Sequence, residues 1–268
     1  MRPVAVVGSL ARDVVDGGPP RVGGAPYYAA LALRELNRSA RIVTKCARAD
    51  RQELLPALVG LGVPVTWQPS GETPAFAFHY EAERRIMRIE ATGEPWSGED
   101  ARTWARPALA SVRWIHVAPL LRDDFPAAVL GELGRGRRIS FDGQGLVRVR
   151  ENGPLRLEAA PDPALLRHVT VLKLAEEEAE ALFGRITQRA VDQLGVPEVV
   201  VTRGSRGCIL YAGGEERVIR AHPLPNDPTG AGDAFAAAYV AGRSAGFAPA
   251  GAARRATAVV GTLLRSRK

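Results

Sequence analysis

Short apolar runs alternate along this chain with longer segments whose apolar positions recur at helical spacing. The alternation predicts a mostly parallel sheet covered by helices on both faces, a doubly wound three-layer α/β fold. We expect strands at Val4–Val7, Arg41–Thr44, Val112–Val117, Ile139–Phe141, Val169–Leu174, Glu198–Thr202 and Cys208–Tyr211. We expect helices at Ala25–Leu36, Gln52–Leu61, Ala101–Ala110, Pro126–Leu133, Ala175–Phe183, Thr187–Leu194, Ala231–Ala245 and Ala250–Leu264.

One region departs from this alternation. Thr73–Tyr80 and Arg84–Glu90 have alternating apolar and polar positions, which predicts two strands joined by a turn at residues 81–83. Residues 12–22 supply a further candidate strand. We expect these strands, around 12–22 and 73–90, to form a small β lid on a single domain spanning residues 1–268. A closing lid would exclude water from a reaction; the alternative is a surface hairpin that does not move.

The composition is that of a globular protein. With 46% hydrophobic and 24% charged residues, 268 residues suffice for one large core, and no early run is apolar enough for a signal peptide or membrane span. We therefore expect a cytoplasmic protein with no membrane partner. The net charge of +7 comes mainly from scattered arginines, which indicates a solvated surface and no nucleic-acid partner. Cys46 and Cys208 lie in apolar runs and are expected to be buried thiols.

The segment at residues 227–235, DPTGAGDAF, carries the strongest chemical signal. Gly230 and Gly232 let the backbone approach an anion closely, and the amides of the first helical turn favour negative charge. Asp233 adds a carboxylate in that turn, where its simpler use is to stabilise the helix dipole. Together these features indicate phosphoryl transfer.

This segment resembles the carboxy-terminal signature D-T-x-G-A-G-D of the ribokinase (PfkB) family of sugar kinases, and departs from it only at its second and third residues. The resemblance implies a ribokinase-like fold, ATP and Mg²⁺ as cofactors, and a small polyol or sugar as substrate. It makes Asp233 the general base for the acceptor hydroxyl, and the amides of Gly230, Ala231 and Gly232 an anion hole. Because lid sheets often support dimers in this family, it also implies a homodimer through the lid as an arrangement to test.

Near the amino terminus, Asp13 follows the first predicted strand, and Gly23 and Gly24 open the next helix. These residues resemble the family's first signature, in which the aspartate binds acceptor hydroxyls and the paired glycines let the acceptor approach the backbone. Asp13, Gly23 and Gly24 take those roles by resemblance. Where ribokinase has lysine and asparagine, this chain has Ala25 and Tyr28, which argues for a bulkier or less polar pocket than one for ribose.

The segment at residues 142–148, DGQGLVR, follows another predicted strand and offers a carboxylate, an amide and a cation. A plain turn would explain its glycines but not these side chains. It resembles the D-x-Q-G-x-x-R stretch of the myo-inositol kinase branch of the family. We therefore expect Gln144 and Arg148 in the substrate site, where Arg148 binds phosphate. Residues 172–175 also resemble that branch, which places Lys173 in the cofactor site.

Two further segments resemble parts of the donor site. Most relatives carry N-x-x-E after the sixth strand; this chain keeps the glutamate as Glu178 and has Ala175 in place of the asparagine. Glu178 is expected to hold magnesium and its waters, and the simpler alternative is an acidic helix start. The loop at residues 201–207, VTRGSRG, matches the family's T-x-G-x-x-G nucleotide loop. The match places four residues at the ATP phosphates and ribose: Thr202, Arg203, Gly204 and Gly207.

The function expected from the sequence is ATP-dependent transfer of the γ-phosphoryl group to a hydroxyl of a small polyol or sugar, with myo-inositol first. A nucleoside, which Tyr27 and Tyr28 would stack on, and a ribose or ketodeoxygluconate type of acceptor are alternatives. Another class, a non-catalytic ligand-binding regulator on a kinase fold, is favoured by Ala175 and opposed by Asp233 and Glu178. A dinucleotide oxidoreductase and a Walker-type NTPase are excluded, because the chain has neither G-x-G-x-x-G after the first strand nor a Gly-Lys pair.

Overall fold

The computed structural model describes residues 3–37, 39–81, 84–222 and 228–266. In these residues the strands are β1 Val4–Ser9, β2 Ala11–Val15, β3 Arg21–Gly23, β4 Ala40–Ala47, β5 Val65–Ser70, β6 Ala75–Glu81, β7 Arg84–Ala91, β8 Trp114–Ala118, β9 Arg138–Asp142, β10 Gly153–Pro154, β11 Val169–Ala175, β12 Glu198–Thr202, β13 Cys208–Ala212 and β14 Glu215–Ile219. The helices are α1 Ala25–Glu35, α2 Arg51–Val59, α3 Gly98–Asp100, α4 Arg106–Ala108, α5 Ala127–Leu133, α6 Gln144–Val147, α7 Pro163–Leu166, α8 Glu176–Phe183, α9 Gln188–Asp192, α10 Ala231–Ser244 and α11 Pro249–Ser266.

The main sheet has nine strands in the order β14-β13-β12-β11-β9-β8-β1-β4-β5. Its strands from β12 to β5 pair in parallel, and β13 and β14 add an antiparallel edge. In such a sheet, ligands bind outside the carboxyl ends of the strands. Residues that follow β1, β9, β11 and β12 are therefore the first candidates for a site.

Helices cover both faces of this sheet, because its central strands bury side chains on both sides. Val4 and Val6 of β1 contribute to one apolar cluster with α1, α10 and α11. Ala5 and Val7 contribute to the other, with α5, α8 and α9. Helix α10 is buried from Ala234 to Gly242 and is rich in alanine, so neighbouring helices approach it closely. The core thus fixes the helix whose first turn carries Asp233.

The lid is a second sheet in the order β10-β7-β6-β2-β3. Strand β2 follows β1 after Leu10, so the lid continues directly from the main sheet. Its inner face carries Phe76, Phe78, Met87 and Ile89, which pack against Leu120 and Leu121. Residues between them, such as His79, Arg88 and Glu90, are exposed on the outer face.

The predicted α/β class and the lid hairpin agree with this structure, with several local differences. Residues 12–22 form two strands, because Asp16 and Gly17 take positive φ angles of 50° and 68° and turn the chain. The helix predicted at 101–110 begins earlier, with α3, and consists within that range of a π-helical stretch at Ala101–Ala105 followed by α4. Pro107 has no amide hydrogen, so the α-helical bond that it would donate to the carbonyl of residue 103 is missing. The end of the predicted lid turn, residues 82 and 83, lies outside the described residues.

Both cysteines are buried with free thiols, as predicted. Burial raises the pKa of the Cys208 thiol to about 11, which leaves it protonated near neutral pH. Among the helices of the described residues, none combines the length and the apolar character needed to cross a bilayer.

Candidate active site

Helix α10 starts at a glycine that the structure requires. Gly230 is its N-cap residue, with a left-handed φ of 73°. A Cβ at this position would lie 2.1 Å from the ring of Tyr28, so the packing of α1 against the motif also excludes a side chain. The amide of Ala231 donates to the carbonyl of Pro228 at 2.9 Å. The amide of Ala231 is one of the three predicted for an anion hole. It would have to give up its hydrogen bond to Pro228 in order to bind an anion. Residue 227, the first of the motif, lies outside the described residues.

A buried lysine lies against the first turn of α10. Nζ of Lys173 is 3.2 Å from Oδ2 of Asp142, and both side chains are 5% exposed or less. The two residues are register partners near the carboxyl ends of neighbouring strands β11 and β9. A Cβ on Gly232 would lie 3.0 Å from Nζ, so the ammonium group lies close to the glycine motif. Burial opposes its charge, but Asp142, Glu178 and Asp233 outweigh that effect and hold the pKa of Lys173 above its usual range.

Arg148 and Glu178 form a second buried ion pair beside this lysine. Nη2 of Arg148 donates to Oε1 of Glu178 at 3.0 Å, and the side chains are 7% and 1% exposed. Oε2 of Glu178 accepts from the amide of Ala175 at 2.8 Å, which caps α8. Nε of Arg148 is buried without a hydrogen-bond partner in the described part of the chain. An unsatisfied buried donor is costly, which indicates a place for an anion.

Helix α6 brings Gln144 and Arg148 together after β9. The amide of Gln144 donates to Oδ1 of Asp142 at 3.2 Å, and the amide of Arg148 donates to the carbonyl of Gln144 at 3.0 Å. The side chain of Gln144 is buried. The segment is therefore one compact turn built on Asp142, and that carboxylate holds both the turn and Lys173.

At the base of the lid, the paired glycines serve contacts within the chain. A Cβ on Gly23 would lie 2.1 Å from Oδ2 of Asp13, so this carboxylate lies directly over Gly23. Gly24 has a φ of 85°, and a Cβ there would meet the carbonyl oxygen of Ser9 at 2.6 Å. Asp13 is buried on β2 and is the register partner of Phe76, so it shares the inner face of the lid. The structure thus places Asp13, the carboxylate predicted to bind the acceptor, on the inner face of the lid itself.

The predicted nucleotide loop is a compact hairpin turn between β12 and β13. Its first residue, Thr202, donates from Oγ1 to the carbonyl of Leu174 at 3.1 Å, which ties the loop to the end of β11. The amide of Arg203 donates to the carbonyl of Gly207 at 2.7 Å, and a 3₁₀ turn at Gly204–Arg206 lies between them. Gly207 has a φ of 90°, and a Cβ there would lie 2.1 Å from the carbonyl oxygen of Ile219. Nε of Arg203 is a second buried donor without a partner in the described residues.

The arrangement is a cluster of charges, not a metal cage. Lys173 and Arg148 supply two cations and Asp142, Glu178 and Asp233 supply three carboxylates, all linked electrostatically through Lys173. In the described ranges, no three His, Cys, Asp or Glu side chains group closely enough to hold a metal ion directly. Within this cluster, the unpartnered Nε of Arg148 is the group best suited to receive an anion, and the carboxylate of Asp233 lies within electrostatic range of Lys173.

The pairing of Lys173 with Asp142 was not predicted from the sequence, nor was a buried histidine behind it. Nδ1 of His116 on β8 lies 3.2 Å from Oγ of Ser140 on β9, and the imidazole is fully buried. Burial, together with the nearby charge of Lys173, lowers the pKa of His116 to about 3. The sequence signal was present, because each of these polar residues interrupts an otherwise apolar strand.

Comparison with known proteins places this chain in a family. Residues 21–267 match the model of the pfkB family carbohydrate kinases. An inositol 3-kinase from Oryza sativa subsp. japonica is 37% identical over 115 residues, which cover 40% of this chain and 28% of the rice protein. The ribokinase of Bacillus subtilis (strain 168) is 36% identical over 91 residues, 32% of this chain and 31% of that protein. The matched segments thus span less than a third of these relatives.

Solved structures match over nearly the whole chain. A pyrophosphate-dependent kinase in the ribokinase family, complexed with a pyrophosphate analog and myo-inositol, has a TM-score of 0.83 at 25% identity, over 98% of this chain and 95% of that one. The ribokinase of Arabidopsis thaliana, complexed with ribose and ATP, has a TM-score of 0.74 at 19% identity, over 100% and 94%. The second match supports the fold alone, and the predicted fold class is confirmed. The chain belongs to the pfkB family of carbohydrate kinases.

Proposed function

We propose that this protein transfers a phosphoryl group from a phosphoanhydride donor to one hydroxyl of a cyclic polyol, with myo-inositol as the first candidate. The observation that carries the proposal is the position of Lys173, whose buried ammonium lies close to the glycine turn that also carries Asp233. A cation, backbone amides and a carboxylate at one helix start suit a reaction that moves a negative group onto a hydroxyl.

Asp233 is the general base in this proposal. It accepts the proton of the acceptor hydroxyl while the hydroxyl oxygen attacks the terminal phosphorus of the donor, and the bond from that phosphorus to the leaving oxygen breaks. Lys173 and Arg148 stabilise the charge on the transferring group and on the leaving phosphate. Because both cations are already held by buried carboxylates, little reorganisation is needed when that charge develops.

The acceptor is inferred from the lid. Asp13 lies on the same inner face as Phe76, so the acceptor meets a carboxylate next to an apolar surface. A cyclitol with equatorial hydroxyls suits that surface, because its hydroxyls point outward around the ring while its ring faces carry C–H groups. Base stacking on Tyr28 is not supported, since that ring is buried and packs edge-on with Tyr27 at 5.3 Å and against Gly230. This favours a cyclitol over a nucleoside.

The donor is ATP in the sequence-based expectation, and the hairpin of Thr202 and Gly207 is its predicted contact. Pyrophosphate is the second candidate, because structural neighbours at 25% and 26% identity are described as pyrophosphate-dependent kinases. Both donors present the same chemistry to Arg148 and Lys173, a phosphoanhydride with a terminal phosphoryl group. An activity assay with each donor in turn distinguishes ATP from pyrophosphate.

Magnesium would supply positive charge to the donor phosphates when bound. Glu178 fits this ion through water and not by direct ligation. Its two carboxylate oxygens already accept from Arg148 and from the Ala175 amide, which leaves lone pairs for a metal-bound water. Magnesium commonly keeps several waters, so such an outer contact is ordinary for it.

The test is a two-dimensional assay of donors and acceptors. ATP and pyrophosphate, each with magnesium, are paired with myo-inositol, ribose, ketodeoxygluconate and adenosine, and the phosphorylated product is measured directly. We expect one dominant donor and myo-inositol as the preferred acceptor, with Asp233→Asn as the inactive control. Preference for ribose or adenosine would contradict the acceptor assignment. Binding of donor and acceptor without product formation would support the ligand-binding regulator instead.

A further inference from the structure

One short segment, residues 148–155, joins the charge cluster to the lid; we call it the strap. At its start, Arg148 pairs with Glu178, and its carbonyl accepts from the amide of Arg122 at 2.7 Å. At its end, β10 pairs with lid strand β7, and the amide of Leu155 donates to the carbonyl of Met87 at 2.9 Å. The strap therefore links the lid to the backbone that carries Arg148.

Arg150, in the middle of the strap, is hydrogen-bonded to residues 92 and 93, where the chain leaves the lid. We call these two residues the hinge. Nη1 of Arg150 donates to the carbonyls of Thr92 and Gly93 at 3.2 and 2.8 Å. These two residues follow β7 directly. Gly93 also packs against the entry to the lid, since its amide donates to Oε2 of Glu72 at 2.9 Å. One guanidinium thus contacts the point where the lid chain returns to the core.

Asp124 is the partner of Arg150 and holds the surface beneath the lid. Its Oδ1 accepts from Nη2 of Arg150, and its Oδ2 accepts from the amides of Leu120 and Leu121 at 2.7 and 2.9 Å. Those two leucines pack against the apolar inner face of the lid. The carboxylate is 9% exposed and the guanidinium 19%, so water does not replace these bonds easily.

We propose that Arg150 and Asp124 are positioning residues that make closure of the lid and placement of Arg148 one event. Their ion pair connects three parts of the molecule: the hinge, the strap, and the two leucines on which the inner face of the lid packs. When a donor phosphate binds Arg148, the strap is fixed, and the hinge is fixed with it. Donor binding then holds the lid closed over the acceptor, which keeps water from accepting the phosphoryl group. This inference rests on the proposed function, because it needs a phosphate at Arg148.

A purely structural ion pair would stabilise the fold without this coupling, so the test must separate the two. The variant is Arg150→Lys. It keeps the positive charge, but an ammonium group lacks the planar arrangement of donors with which the guanidinium binds one carboxylate and two carbonyls at once. Arg156→Lys is the matched control, since Arg156 pairs with Glu151 on the exposed side of the same region. Asp124→Asn is a second variant at the other end of the pair. Urea unfolding selects the variants that fold.

The first readout is hydrogen exchange, which needs no acceptor. With magnesium imidodiphosphate or magnesium AMP-PNP as the probe, the amides of Gly93 and Leu155 should exchange at least about 10-fold more slowly in the wild type and in Arg156→Lys. In Arg150→Lys and Asp124→Asn, this added protection should be lost. Equal protection in Arg150→Lys, or none in the wild type, would overturn the proposal.

The second readout is the coupling of donor cleavage to acceptor phosphorylation. We expect Arg150→Lys to lower kcat/KM for the acceptor about 10- to 100-fold, as for a misplacement of the order of 1 Å. Phosphate release to water should rise relative to product formation. A lowered rate with an unchanged ratio indicates a structural role only and refutes the coupling. If no acceptor is phosphorylated but hinge protection follows the donor, the proposed function fails while the positioning role stands.

Discussion

The charge cluster under α10 and the lid handle charge in opposite ways. In the cluster, Arg148 and Glu178 are 7% and 1% exposed and bonded to each other in the interior. In the lid, Arg88 and Glu90 pair at 3.1 Å on the outer face, with 58% and 49% of their side chains exposed, while the inner face is apolar except for Asp13. Charges that act on a reacting group need fixed positions, whereas a surface that opens and closes is better served by non-directional apolar contacts.

The largest effect on activity should come from a change at Asp233, the proposed general base in the charge cluster. Asp233→Asn removes the base but keeps the size of the side chain. We expect kcat to fall about 10²- to 10⁴-fold, because positioned base catalysis contributes that much. The affinity for the donor should change little. Steady-state kinetics and calorimetric donor binding check both. A variant that retains most of its turnover would remove Asp233 from the role of base.

The next prediction concerns how much the buried ion pair of Lys173 and Asp142 contributes to stability. Lys173→Met leaves the carboxylate of Asp142, which is fully buried, without its partner. Removing one member of a buried pair costs about 3–5 kcal/mol, so the free energy of unfolding should fall by that order. Urea denaturation measures it. Lys173→Met combined with Asp142→Asn should recover part of the stability and none of the activity, because no cation then faces the glycine turn. Full stability in the single variant would show that Asp142 does not need a cationic partner.

The two regions also differ in how far the sequence predicted them. The helix that begins at the glycine motif and the lid hairpin were predicted correctly, because each depends on a pattern of consecutive residues. The Lys173 and Asp142 pair joins strands 31 residues apart, and pattern reasoning gave no register between them. Strands β5 and β14 were missed because they are partly or fully exposed edge strands, and edges lack the apolar run that marks a buried strand. Arg150 was missed because its partners are mainly backbone carbonyls.

The buried histidine behind the cluster provides a pH test. The pKa of His116 is about 3 in the folded protein, below the 6.5 of an exposed imidazole, because burial and Lys173 disfavour its charge. As the pH falls below 6.5, the unfolded chain therefore takes up a proton that the folded protein does not. The free energy of unfolding should fall by up to about 1.4 kcal/mol per pH unit from this group, until the pH reaches about 3.

Comparison with His116→Asn isolates that contribution, because the carboxylates titrate in both proteins. Urea unfolding between pH 7 and 4 should show a shallower slope for the variant. The Asn side chain can keep the bond to Oγ of Ser140, since its amide lies near the position of Nδ1. Identical slopes would mean that His116 titrates alike in the folded and unfolded states.

The smallest effect should come from the outer face of the lid, where the contrast with the cluster is sharpest. Arg88→Ala breaks an ion pair of ordinary geometry, yet exposed pairs contribute only about 0–1 kcal/mol, because water and salt already screen them. The urea midpoint and kcat should stay close to those of the wild type, and any change should shrink at high salt. Glu178→Gln, which breaks the buried pair of Arg148, is the matched comparison and should cost several-fold more stability. If Arg88→Ala instead lowered kcat and left stability intact, the outer face would take part in lid closure. Apolar packing of the inner face would then not be enough to explain how the lid is held.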